Sequence, residues 1–319
     1  MGYNLNSGYG QALAAAHAAK SLGGHVFVVA KTAAAGRQLM QDIFPVDPNG
    51  INRYAATIDA AVGYTTANRG DVILVAPGHT ETLSTATALN LDVAGITIIG
   101  MGTGSTRPTI TLDTATTTTI PVSAANITVR NIIFTANFAD IVSVFTLTTA
   151  NNFHLDGCYI KATATNMNFT YVVDTNATTS DADGLKITNC KWIEPDTATL
   201  SMVKMDGDNY DVIIENNFLQ LGVNNNKAAV MAIATGKSVF NAQILNNRVF
   251  RLNTDTATGA ILISTDQSDN SGVIAGNFVQ HADTASELLI TASSGFGTFQ
   301  NYASGVAGAS GYLLPAADS

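Results

Sequence analysis

A short phrase recurs along the chain, and its spacing constrains the possible folds more than any other feature of the sequence. Each copy holds an apolar residue, then any residue, then Asn or Gly, and then a short strand-like run. The Asn or Gly stands at Gly100, Asn131, Gly157, Asn189, Asn216, Asn246, Gly276 and Asn301, at intervals of 25 to 32 residues. Intervals of this size are typical of solenoids and repeat arrays.

The restriction to Asn and Gly has a physical cause. Glycine has no Cβ to clash at positive φ, and Asn is among the few other residues that tolerate the left-handed region. A recurring position that holds only these two residues therefore predicts a tight bend between two strands. We interpret the eight positions as a column of structural bends.

The residues after each bend predict which side chains face the interior. Because strand side chains alternate between faces, the first and third residues after the bend should share one face and the second the other. The first positions include Cys158, Cys190, Asn217, Asn247 and Asn277, and the third positions are apolar, with Trp192 among them. We expect these to point inward, with the three Asn residues stacked as a ladder of buried amides. The second positions should point outward.

A second strand-like segment precedes each bend, so every repeat has two or three strands in the same order, as in stacked coils. On these repeats the chain resembles the right-handed parallel β-helix superfamily, often called pectin-lyase-like. The expected fold is therefore all-β, a right-handed parallel β-helix solenoid with an N-terminal helical arm and a capping helix at Ala55–Ala67. The expected divisions are an arm and docking segment over 1–50, the β-helix over 51–303 and a tail over 304–319.

Composition excludes several partner classes. The net charge is -9 and only 12% of the residues are charged, with no clustered run of Lys and Arg. Nucleic acid and anionic membranes both require such a cluster, so neither is an expected partner. Two cysteines cannot form a disulfide framework. The chain starts at Met without a basic signal segment, so we expect folding in a cytoplasm.

Candidate catalytic residues are sparse. The resemblance implies an active site on an outer strand face, built from stacked Asp residues with Lys or Arg, often around calcium. Asp206, Asp208 and Asp211 are weak candidates for a metal site, although Asp is also a common turn residue. No pair of acids stands out for sugar hydrolysis, which needs two. The sequence therefore predicts no enzymatic activity, no catalytic residues and no cofactor.

The function predicted from these observations is a structural protein of a bacteriophage particle, most simply a homotrimeric capsid decoration (cement) protein of the virion. The apolar outward residues Ile133, Tyr159, Phe218 and Phe278 are the predicted interface, and residues 1–50 would contact the major capsid protein or other virion proteins. The alternatives are a polysaccharide lyase or hydrolase of the β-helix fold, or a tailspike or fibre component that binds host glycan.

Overall fold

The protein is described by a computed structural model. The description covers residues 14, 16, 23–31, 53–196, 198–222, 228–251, 262–280, 295–304 and 311–312. The chain forms a parallel β-solenoid of about eight turns. Only one α-helix longer than a single described position is present in these ranges, α1 (Ile58–Val62), and a 3-10 turn spans Gly104–Thr106.

In the described part of the chain, three long sheets and a short one line the solenoid, and every strand pairing but one is parallel. Sheet A holds β1 (Val26–Val29), β2 (Tyr54–Ala55), β3 (Val72–Val75), β5 (Thr97–Gly100), β8 (Thr128–Arg130), β11 (His154–Asp156), β14 (Lys186–Thr188), β18 (Ile213–Glu215), β22 (Ala242–Leu245), β25 (Ser271–Ala275) and β27 (Gly295–Phe299). Sheet B holds β4 (Thr80–Leu83), β6 (Thr109–Leu112), β9 (Ile133–Ala136), β12 (Tyr159–Ala162), β15 (Lys191–Glu194), β19 (Phe218–Leu221), β23 (Arg248–Arg251), β26 (Phe278–Gln280), β28 (Tyr302–Ser304) and β29 (Gly311–Tyr312).

Sheet C and the short sheet D complete each turn. Sheet C holds β7 (Ile120–Val122), β10 (Ile141–Leu147), β13 (Phe169–Thr175), β16 (Ser201–Met205), β20 (Met231–Ile233) and β24 (Ile263–Ser264). Sheet D pairs β17 (Asn209–Tyr210) with β21 (Val239–Phe240). A middle turn therefore passes from sheet A through the bend to sheet B, and then through sheet C back to sheet A.

The predicted bend lies between sheets A and B. Six of the eight predicted residues adopt left-handed φ angles between 55° and 67°: Asn131, Gly157, Asn189, Asn216, Asn246 and Gly276. The prediction of a bend at Gly100 is wrong, because Gly100 is the last residue of β5 and has no positive φ. It is small for another reason, since a Cβ there would lie 2.3 Å from the backbone oxygen of Asn131.

Asn301 is a second correction. At the last bend the left-handed residue is Gln300, with φ 54°, and Asn301 follows it. Asn301 is buried and occupies the inward position, where its Oδ1 accepts hydrogen bonds from Asn277 N at 3.1 Å and Nδ2 at 2.9 Å. The repeated phrase was therefore aligned one residue too far along the chain. The bend position favours Asn because Asn tolerates left-handed φ, and the inward position after it favours Asn because its amide joins the ladder.

A second column of left-handed residues lies just before the strands of sheet A. Its members are Asn126, Asn152, Gly184, Asp211 and Asn241, with φ between 54° and 71°. The backbone N–H groups of successive members donate to the following coil, for example Asn152 N to Asp183 O at 2.7 Å. Each coil therefore has left-handed corners at both ends of its sheet A strand.

The interior is the predicted apolar stack. Trp192 and the other third-position residues are buried, and a single cluster of buried side chains runs from Phe27 to Phe296. Cys158 and Cys190 are buried free thiols in adjacent coils. The inward amides form the expected ladder, which Asn301 extends by one rung.

The amino-terminal prediction is not supported in three respects. The predicted helix at Ala55–Ala67 is reduced to α1, because Ala55 belongs to β2 and Gly63 ends the helix. A capping role is also not supported, since β1 and β2 extend sheet A beyond β3. The helical arm is likewise not supported: the described stretch 23–31 of the predicted arm contains β1, a fully buried strand of the solenoid. Most of 1–50 lies outside the described residues.

Candidate functional site

One outward row of sheet B combines aromatic and cationic side chains. We define the sheet B row as the second residue after the bend in successive coils: Ile133, Tyr159, Lys191, Phe218, Arg248, Phe278 and Tyr302. The strand register pairs each member directly with the next. Because neighbouring strands lie about 4.8 Å apart, the row runs along the solenoid axis with one side chain per coil.

From Tyr159 to Phe278 the sheet B row alternates between an aromatic ring and a cation. Lys191 and Arg248 are exposed, whereas Tyr159, Phe218 and Phe278 are half-buried. The Lys191 ammonium lies 5.3 Å from the centre of the Tyr159 ring and 5.5 Å from that of Phe218. These distances are within the range of a cation–π interaction, which holds the ammonium between the two rings.

Further cations and rings border this row. Lys161 Nζ lies 5.7 Å and the Arg107 guanidinium carbon 5.8 Å from the centre of the Tyr159 ring. Arg107 is anchored, because its Nη1 donates to Gly157 O at 3.0 Å. Phe250 lies beside the row, with its ring centre 5.2 Å from that of Phe218. Three cations therefore surround Tyr159.

The same face lacks carboxylates at its described outward positions. The second and fourth residues after each bend, from β9 to β26, are Ile133, Thr135, Tyr159, Lys161, Lys191, Ile193, Phe218, Gln220, Arg248, Phe250, Phe278 and Gln280. None is Asp or Glu, although the chain carries 24 acidic residues and a net charge of -9. The face is locally cationic on an acidic protein, and it offers rings and positive charge to a partner.

The predicted interface residues all fall on this row, but the predicted interface left out the cations between them. Ile133 is buried, at 6% exposure, so it contributes little open surface. Within the row, Lys191 separates Tyr159 from Phe218, and Arg248 separates Phe218 from Phe278. Phe250, beside the row, contacts both Phe rings, with 5.2 Å and 6.3 Å between ring centres. The signal was present in the mixed composition of the second positions after the bends.

The three candidate metal ligands each accept a hydrogen bond from a different residue. Lys204 Nζ donates to Asp206 Oδ2 at 2.6 Å, Ser238 N to Asp208 Oδ1 at 2.8 Å, and Asn241 Nδ2 to Asp211 Oδ1 at 2.6 Å. Within the described ranges, no group of three or more His, Cys, Asp or Glu residues could hold a metal ion. Asp206, Asp208 and Asp211 stay no more than the weak candidates for a metal site that the sequence offered.

A separate ionic cluster on sheet C was not anticipated. Lys204 Nζ lies 3.5 Å from Asp174 Oδ1 as well as 2.6 Å from Asp206 Oδ2. Burial raises the pKa of Asp174, and it also raises that of Tyr171, whose ring centre lies 5.7 Å from the ammonium. The sequence pattern concerns the residues after the bends, which lie in sheet B, so it gives no sign of this cluster. Asp174 and Lys204 lie opposite each other through the strand register of sheet C.

The class of molecule defined by these observations is a parallel β-solenoid with an aromatic and cationic outer face. No family profile matches the chain, and no curated protein matches it in sequence. One solved structure to which it is similar is the alginate lyase from Paenibacillus sp. str. FPU-7, with 11% sequence identity and a TM-score of 0.35. The match covers 76% of this chain and 95% of that protein.

The prediction that the chain is not an enzyme is withdrawn, because the similar solved structure is an enzyme; a TM-score of 0.35 by itself assigns no activity to this chain. A β-solenoid can carry catalysis or binding on its outer faces, and the site decides between them. Across the part of the chain that the structure describes, no helix is long and apolar enough to span a membrane.

Proposed function

We propose that this protein binds an anionic polysaccharide along the sheet B row and acts on it as a lyase. The observation that carries the proposal is the alternation of rings and cations over five successive coils, from Tyr159 to Phe278. Ring faces pack against the apolar faces of sugars, and Lys and Arg pair with carboxylate or sulfate groups. A linear polymer laid along the axis would contact all five positions.

The charge of the face favours elimination over hydrolysis. Hydrolysis of a glycosidic bond uses two carboxyl groups on either side of that bond. The described outward positions of sheet B from β9 to β26 hold none. Elimination next to a uronate instead needs cations to stabilise the charge on the substrate carboxylate and a base for the neighbouring C–H proton.

The surroundings of Tyr159 supply these groups. Lys191, Lys161 and Arg107 lie over its ring and would hold the uronate carboxylate. Once Tyr159 has given its phenol proton to solvent, its oxygen would take the C5 proton, the C4–O bond would break, and a C4=C5 double bond would form. The departing glycosidic oxygen would take up a proton from solvent, which balances the step.

Binding is tested by titrating the protein with hyaluronan, chondroitin, alginate and polygalacturonate, with dextran as the neutral control. The double variant Lys191→Gln/Arg248→Gln should raise Kd at least tenfold for every anionic polymer that the parent binds. Lys186→Gln removes an exposed cation from sheet A and should leave Kd unchanged. Absence of binding to all four anionic polymers, or binding that the double variant retains, would contradict the proposal.

Catalysis is tested separately, by the ultraviolet absorbance of unsaturated uronate. Tyr159→Phe keeps the aromatic ring and removes the phenol, so it should abolish product formation with little change in Kd. A Tyr159→Phe variant with the parent's turnover would remove Tyr159 from the chemistry.

The virion role stays a prediction that no observation on the described residues addresses. In a homotrimer built through the sheet B row, the rings and cations would be covered by other copies. Glycan binding on this row and trimer formation through it are therefore mutually exclusive. A tailspike or fibre component that binds host glycan would be compatible with an open row.

A further inference from the structure

We infer that the sheet B row selects a polysaccharide in which acidic and uncharged sugars alternate, over one in which every sugar is acidic. This inference rests on the proposed function and adds to it the order in which acidic and uncharged sugars would lie along the row. Its basis is the order of side chains along the axis: Tyr159, Lys191, Phe218, Arg248 and Phe278 occupy consecutive coils.

The axial spacing sets the register. Successive coils advance by about 4.8 Å, which is close to the length of one pyranose unit in an extended glycan. Like positions in the row therefore recur every two coils, at about 9.6 Å, which corresponds to one disaccharide. A bound chain meets a ring at one sugar and a cation at the next.

The two kinds of position favour different sugars. The face of an aromatic ring carries negative electrostatic potential, which attracts cations and disfavours an anion placed over it. An uncharged sugar can pack against Phe218 or Phe278 without this cost. An acidic sugar is stabilised at Lys191 and Arg248, both of which are exposed.

A uniformly acidic polymer fits the row less well, even though it carries more charge. With every sugar charged, half of the carboxylates would lie at ring positions whenever the other half reached Lys191 and Arg248. General electrostatic attraction predicts the opposite order of affinity, because a uniform oligomer carries twice the charge of an alternating one of equal length. The two explanations therefore give opposite outcomes.

The experiment compares matched octasaccharides by calorimetry at fixed ionic strength. Hyaluronan and unsulfated chondroitin octasaccharides are the alternating probes, and octagalacturonate and octamannuronate are the uniform ones. We expect both alternating probes to bind at least tenfold more tightly than either uniform one. Equal or tighter binding of the uniform probes would overturn the register while leaving the proposed function standing. Failure of all four probes to bind would overturn both.

Changing the order of rings and cations along the sheet B row gives a second test. Phe218→Lys (F218K) places three cations on consecutive coils, with Lys191 and Arg248 on either side, and should shift the preference at least tenfold towards octagalacturonate. Lys191→Tyr replaces an exposed side chain, so it perturbs packing less, and it should abolish the preference by leaving three consecutive rings. Circular dichroism and thermal melting establish that each variant is folded. A folded variant with the parent's preference would overturn the inference.

Discussion

Asn217 and Asn247 lie in adjacent coils and are joined by two hydrogen bonds to a single oxygen. The backbone N–H and the side-chain Nδ2 of Asn217 both donate to Asn247 Oδ1, each at 3.0 Å. Asn247 repeats the arrangement with Asn277, at 2.9 Å and 3.0 Å. Each amide also donates to a backbone oxygen, so the buried polar groups of these rungs satisfy one another.

Replacing the middle rung should destabilise the solenoid. Asn247→Leu leaves the backbone N–H of Asn217 without its acceptor and removes one of the two hydrogen bonds of Asn217 Nδ2, which still donates to Ile187 O. A buried unsatisfied group costs about 1–3 kcal/mol. We expect the free energy of unfolding to fall by that amount in urea denaturation. Gln220→Leu, on the outer face of sheet B, is the control and should have a much smaller effect. Equal stability of Asn247→Leu and the parent would mean that the ladder contributes nothing net.

Glu194 should make stability depend on pH. The residue is buried, and among the described residues its Oε1 has no hydrogen-bond partner and its Oε2 accepts only from Phe169 N at 3.5 Å. Burial raises the pKa of Glu194 from 4.5 to about 8. The folded state therefore holds its proton more tightly than the unfolded state, and stability falls as pH rises between these two values.

The free energy of unfolding should fall by an amount on the order of 5 kcal/mol as the pH rises across that range. Glu194→Gln removes the titration, so the variant should lose this pH dependence and exceed the parent in stability at pH 8 and above. Denaturant midpoints from pH 5 to pH 9 measure both effects, with Glu215→Gln on sheet A as the control. A parent whose stability is flat over this range would show that Glu194 has a partner when folded.

The left-handed bend can be tested without steric complications. A Cβ at Gly157, with φ 61°, would meet no atom within 4 Å, so Gly157→Ala measures backbone strain alone. It should cost about 1–2 kcal/mol. Gln300→Gly should give a gain of up to the same size, because Gln300 already bears this strain at φ 54°. Thermal melting of both variants should move in opposite directions, and a shared direction would exclude this explanation.

Periodicity predicted the coils because a repeated backbone requirement admits few residue types. Six left-handed bends, the inward amides and the buried Trp192 followed from that one constraint. The last bend was misplaced because Gln300 is not a usual left-handed residue and the neighbouring Asn301 is a better match to the pattern. Strand β1 was missed because Val26–Val29 lies outside the repeat and pairs with Val72–Val75 only in three dimensions.

The site was less predictable than the fold. The outward row could be extracted from the sequence, but the predicted interface contained its apolar members and left out Lys191 and Arg248. Their significance depends on register, since the rings of Tyr159 and Phe218 contact the Lys191 ammonium only when the coils stack without slippage. The Asp174–Lys204 pair depends in the same way on the pairing of β13 with β16.

The buried thiols should be unreactive while the protein is folded. Cys158 and Cys190 are each 1% exposed, and burial raises the pKa of Cys190. Thiolate is the reactive form, so both low access and a raised pKa suppress labelling. Ellman's reagent at pH 8 should report no thiol in the native protein and both thiols in denaturant. Rapid labelling without denaturant would mean that the coils open locally at sheet B.

Phe218→Asp distinguishes an open glycan-binding row from a subunit interface. Phe218 is half-buried, with Lys191 above it and Arg248 below it in register. A carboxylate there would pair with both cations and repel an anionic glycan, so we expect binding to weaken at least tenfold. The sedimentation coefficient should not change if the row is open to solvent. Tyr210→Asp, an exposed aromatic outside sheet B, is the control for a new surface charge. A fall in sedimentation coefficient with Phe218→Asp alone would instead identify the row as the contact between copies of this chain, and it would remove the surface on which the proposed polysaccharide binding depends.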